Sequence, residues 1–66
     1  MRVTVNGSST DLPDDTDLPR LLQQFGLKVG TVVVEHNGTA LLRGELAAAR
    51  LRDGDRIELV RAVAGG

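Results

Sequence analysis

The chain has 66 residues, nearly balanced charge (8 Lys and Arg against 9 Asp and Glu, net -1) and no cysteine. That length allows one domain at most. The missing thiols exclude disulfide staples and thiolate metal sites, and one histidine, His36, cannot build a metal centre alone. Nucleic acid is disfavoured as a partner, because there is neither a basic excess nor a set of stacking aromatics; Phe25 is the sole aromatic residue.

In chain order, "RVTVN" (Arg2 to Asn6) alternates polar and β-branched residues, which predicts a half-buried strand with Val3 and Val5 on one face. Asn6-Gly7 is a hairpin signal, since both residues tolerate positive φ, and "SSTDL" returns as a second strand up to Leu12. Within "PDDTDLPRLLQQFG" a helix is expected. Thr16 or Asp17 caps it and Pro19 falls in its first turn. Leu18, Leu21, Leu22 and Phe25 form its apolar stripe, and Gly26 supplies the left-handed C-terminal cap. "TVVVEHNGTALL" is a second hairpin, with Thr31 to His36 outward, Asn37-Gly38 at the turn and Thr39 to Leu42 returning. "RGELAAARL" reads as one or two helical turns weakened by Gly44. "RDGD" is a turn and "RIELV" a final strand with Ile57 and Leu59 on one face.

The order β-β-α-β-β-short helix-β predicts an α+β fold, a mixed sheet of about five strands covered on one face by one main helix. The first and last strands can be parallel neighbours at its centre. This is the β-grasp arrangement of ubiquitin-like proteins. A body over residues 1–60 and a flexible tail over 61–66 ending in Gly-Gly are expected. No basic segment followed by an apolar run opens the chain, and no apolar stretch has spanning length. A soluble cytoplasmic protein, monomeric alone and without a membrane partner, is the expectation.

Inside the body, chemistry finds little to use. Asp14, Asp15 and Asp17 miss the spacing of a calcium loop and suit loop and cap positions, so no metal is assigned. Asp53 and Asp55 flank Gly54 in a turn, and turn chemistry accounts for them. His36 has no Ser or Cys beside it to activate, whereas triad chemistry needs a nucleophile, a base and an orienter. No catalytic residue is assigned within the chain, and the body is too small to enclose a ligand pocket. Acidic residues (Asp11, Asp14, Asp15, Asp17) gather early and Arg43, Arg50, Arg52, Arg56 and Arg61 late. This is either an ordinary solvated surface or a bipolar one that orients docking.

What remains is "RAVAGG", Arg61 to Gly66. A terminal glycine pair arises by chance often enough to read as a frayed end. Without Cβ, however, such a backbone can thread a narrow channel in a partner and present its carboxylate unobstructed.

The chain resembles the sulfur carrier protein of thiamine biosynthesis, a ubiquitin-like family, over essentially its whole length. "DGDRIELV" (Asp53 to Val60) followed by "RAVAGG", and "VEHNG" (Val34 to Gly38) followed by Arg43, carry the resemblance. One departure is Leu42, where the family often has proline before the arginine. The resemblance implies that Gly66 is adenylated by a ubiquitin-activating-like adenylyltransferase using ATP and Mg. The adenylate is then converted to a thiocarboxylate with sulfur from a cysteine desulfurase or other donor, and thiazole synthase takes that sulfur. No cofactor is bound by the carrier itself, which is a co-substrate rather than an enzyme. Val63, Ala64, Gly65 and Gly66 match the tail that enters the partner's active site. Because the chain as given ends at the glycine pair, no maturation cleavage is expected. Lys28, its only lysine, leaves little scope for ubiquitin-style chain building. A carrier for molybdopterin synthesis, tRNA thiolation or cysteine synthesis, or a non-covalent ubiquitin-like interaction module, stands as the alternative. Val60 and Arg61 are candidates for a partner surface. Val60 alternates away from Ile57 and Leu59, although burial under the rest of the fold is equally open to a valine.

Overall fold

The computed structural model describes residues 1–61. They form β1 (Arg2–Val5), β2 (Ser8–Asp11), α1 (Leu18–Gln24), β3 (Val32–His36), β4 (Thr39–Leu41), a single 3-10 turn (Arg43–Glu45) and β5 (Arg56–Arg61). The two hairpins turn where the Asn-Gly pairs stand. Asn6 and Gly7 have φ of 50° and 84°, Asn37 and Gly38 of 51° and 86°. Positive φ at both central residues matches the right-handed twist of the flanking strands.

The five strands make one sheet in the order β2-β1-β5-β3-β4. The last strand in the chain therefore lies in the middle of the sheet. β5 runs parallel to β1, with Val5 beside Ile57, and antiparallel to β3, from Val32 opposite Arg61 to His36 opposite Ile57. The expected mixed sheet with parallel first and last strands is what forms.

Alternation delivers Val3 and Val5, Val32 and Val34, and Ile57 to the helix side of the sheet, where they are buried. Leu18, Leu21 and Leu22 of α1 are fully buried against them, each contributing about 1.5–3 kcal/mol of hydrophobic stabilisation. Such burial has to hold α1, since seven residues are too few for a helix stable by propensity. Asp17 is the N-cap: its Oδ1 accepts the Arg20 amide at 2.9 Å. Gly26, at φ 71°, donates its amide to Gln23 O.

Phe25 corrects the expected stripe. It stands at the C-cap, its amide still bonded to Leu21 O at 3.2 Å but its own φ and ψ (-88° and 3°) ending the helix. It is 46% exposed. In "RGELAAARL" only Arg43–Glu45 is helical, as a 3-10 turn. The alanines beyond it loop between two buried anchors, Leu46 and Leu51. Leu42 adopts φ -72°, the angle a proline would impose. Its amide donates to Glu45 Oε1 at 2.7 Å, a bond proline could not make. No described helix is long and apolar enough to cross a membrane.

Candidate functional site

β5 is the strand that leads to the glycine pair, and it is gripped from both sides. On one side, Asn6 lies just past the end of β1. Its Oδ1 accepts the Leu59 amide at 2.7 Å and its Nδ2 donates to Leu59 O at 3.3 Å. The carboxamide thus takes the place of the next residue of β1. On the other side, Asn37 Oδ1 accepts the Arg56 amide at 2.8 Å, and Asn37 Nδ2 donates to Asp55 Oδ1 at 3.0 Å.

Asp55 is more than a turn residue. It is buried, 9% exposed, and its Oδ2 meets His36 Nε2 at 2.7 Å while accepting the Arg52 amide at 2.8 Å. Burial pushes its carboxyl up, but the bonds from His36, Asn37 and the Arg52 amide outweigh that and hold it below its ordinary value. The spatial partner of His36, invisible in the sequence, is therefore Asp55. A base and its orienter are present, but the cleft over them is lined by His36, Asn37, Ala48, Arg50, Arg52 and Asp55, with no hydroxyl or thiol to activate. The pair works as a clasp at the start of β5.

The early acidic residues are engaged locally. Asp11 pairs with Arg2 at 2.9 Å and Asp14 with the N-terminal amine at 2.8 Å, while Asp17 caps α1. Arg50 shares one cleft with Asp14, Asp15 and Asp17, so the separation of charge along the chain is not kept there in space. Among the described residues, no group of acidic and histidine side chains could hold a metal ion.

The outer face of the sheet, away from α1, carries a second cluster. Val60 is 51% exposed and stands directly opposite Val33 of β3, which is 44% exposed. Covering of Val60 by the rest of the fold is thereby ruled out within residues 1–61. On the same face, Glu35 stands opposite Glu58. Arg61, also exposed, lines a cleft with Gly26, Leu27, Lys28 and Thr31. The other site residues read from the sequence, Val63, Ala64, Gly65 and Gly66, lie outside the described residues. Val33, Glu35 and Glu58 were missed as surface residues. Alternation along "TVVVEH" and "RIELV" is the signal that could have placed them together, given the pairing register.

Four similarities bear on this geometry. The chain matches the ThiS family over residues 2–66, a span that includes Gly65 and Gly66. It superimposes on the crystal structure of a thiamine biosynthesis protein (ThiS) from Geobacter metallireducens with a TM-score of 0.84 and 30% identity, covering 100% of both chains. The solution structure of a thiamine biosynthesis protein from the same organism gives 0.79 and 33%, covering 100% of this chain and 88% of that one. A thiazole synthase of Magnetococcus marinus is 33% identical over 66 residues, a span that takes in 100% of this chain but only 20% of that protein. Five strands in a mixed sheet, one covering helix and a terminal Gly-Gly match over their full extent lead to one assignment: this chain belongs to the ThiS family, on a ubiquitin-like β-grasp fold.

Proposed function

We propose that this chain is the sulfur carrier for thiazole formation in thiamine biosynthesis, and that Gly66 carries the sulfur. The observation that supports this most is the ThiS family match, which runs from β1 through Gly66 without a break. The fold contributes delivery. A strand locked between two neighbours and two asparagine clasps holds the start of the tail at a fixed place.

In this scheme the Gly66 carboxylate attacks the α-phosphorus of ATP on an adenylating partner, releasing pyrophosphate and forming an acyl-adenylate. That partner supplies the Mg. Sulfide-level sulfur displaces AMP and leaves the thiocarboxylate directly. A persulfide from a cysteine desulfurase instead displaces AMP to give an acyl disulfide. A thiol then cleaves its S–S bond, releasing the thiocarboxylate as the thiol forms a disulfide with the donor. Thiazole synthase then takes the sulfur, which accords with the similarity to a thiazole synthase. Gly65 and Gly66 place no side chain between the carbonyl and its attackers. Val63 and Ala64 fill the approach to the partner's site, and Val60 with Arg61 forms part of the body surface against it. The carrier is a co-substrate of these enzymes.

Intact-protein mass spectrometry tests the scheme. After incubation with activating enzyme, ATP and a sulfur source, one oxygen is replaced by one sulfur, and fragmentation localises the change to Gly66. Adding one residue after Gly66 abolishes the gain. An unchanged mass with an activating enzyme proven on another substrate sinks the scheme.

A further inference from the structure

Glu35 and Glu58 are direct cross-strand partners on β3 and β5. Residues so opposed point to the same face, and like charges directly opposite each other there are destabilising. Nothing among the described residues neutralises them, since the ion pairs there are Met1–Asp14, Arg2–Asp11 and His36–Asp55. The cation that shares their face on β5 is Arg56. Its Nη2 lies 4.0 Å from where a Cβ on Gly38 would stand, over the β3–β4 turn rather than over Glu58. Arg2, on β1, is bonded to Asp11. Ala40, opposite Glu35 on the other flank, is small and exposed, so nothing on β4 shields the carboxylates. The exposed Val33–Val60 pair lies two residues further along the same face, toward the end of β5 that leads to the tail.

An unneutralised carboxylate pair beside an exposed apolar pair is unfavourable in the free protein and useful only against a complementary surface. We propose that Glu35 and Glu58 form an anionic socket for an arginine or lysine side chain of the adenylating enzyme, with Val33 and Val60 as the apolar contact beside it. The proposal rests on the carrier function above. Chain length supports that occupant. Gly66 stands six residues beyond Val60 in the sequence, so a partner holding its carboxylate has its active site within about 20 Å of this face. The body surface that such a partner meets includes the socket.

The test replaces both glutamates, E35Q/E58Q, and measures thermal stability, affinity for the adenylating enzyme with its salt dependence, affinity for thiazole synthase, and pyrophosphate release. D15N, on the loop before α1, is the control for a change of charge elsewhere. The double variant is expected to melt about 2–4 °C higher than the parent. It binds the adenylating enzyme about tenfold more weakly, with a shallower salt dependence, while D15N binds as the parent does. Unchanged affinity in the double variant, a lowered melting temperature, or a loss confined to thiazole synthase overturns the socket. If the parent chain itself yields no pyrophosphate with an active enzyme, the carrier function fails, and the socket falls with it.

Discussion

The two Asn-Gly turns have the same dipeptide and nearly the same φ angles, yet they hold β5 differently. Asn6 acts alone, offering one carboxamide to the two backbone groups of Leu59. Asn37 belongs to a network, joining the Arg56 amide to Asp55, which in turn binds His36 and the Arg52 amide. The dipeptide dictates the backbone at both turns. What the asparagine side chain then does depends on what the topology places beside it.

The sharpest way to break this contrast is at Asp55, which accepts from three donors. Asp55→Ala leaves all three without their acceptor and is expected to cost about 3 kcal/mol, read from the midpoint of urea unfolding. Glycine at each turn keeps the positive φ and deletes only the carboxamide. By this logic Asn37→Gly costs about 2 kcal/mol, because it strands Asp55 as well as the Arg56 amide. Asn6→Gly costs about 1 kcal/mol, since the groups it frees are exposed to water. Equal losses in the two glycine variants would erase the distinction between a lone clasp and a networked one.

The smallest expected effect is in acid. The Asp55 carboxyl is held below its ordinary value of 3.8 in the folded chain. Between the folded and unfolded values, the unfolded state binds more protons, so stability rises with pH. The contribution is fully present above the unfolded value and is lost as pH falls through the folded one. Asp55→Asn removes this slope, so its unfolding midpoint depends less on pH below about 4 than that of the parent chain.

Much of the fold is legible in the sequence because it is local. Alternation marks Val3 and Val5 as buried, the two Asn-Gly pairs set the hairpins, and Asp17, Pro19 and Gly26 bound the helix. Phe25 misleads because helical periodicity was carried one residue past the last turn. The missed contacts are those between segments distant in the chain. His36 and Asp55 are 19 residues apart, and nothing near either one announces the other. Glu35 and Glu58 look like ordinary surface acids until the register of β3 against β5 makes them neighbours. Gly65 and Gly66 are the reverse case. Composition and the family pattern single them out.

The central place of β5 has a consequence for synthesis. The β1–β2 and β3–β4 hairpins pair with each other only through β5, and a lone two-stranded ribbon is marginally stable at best in water. Until Arg56–Arg61 has left the ribosome, the nascent chain holds two ribbons and a short helix with no shared sheet. Closing that sheet joins groups such as Asn6 and Leu59, 53 residues apart, the kind of distant pairing that slows folding. The strand that closes this sheet is also the one that leads into the glycine pair. Seating β5 therefore closes the described sheet and fixes the strand that precedes the glycine pair in the sequence. Amides of β5 should accordingly exchange with solvent only through global opening, the slowest class in the protein.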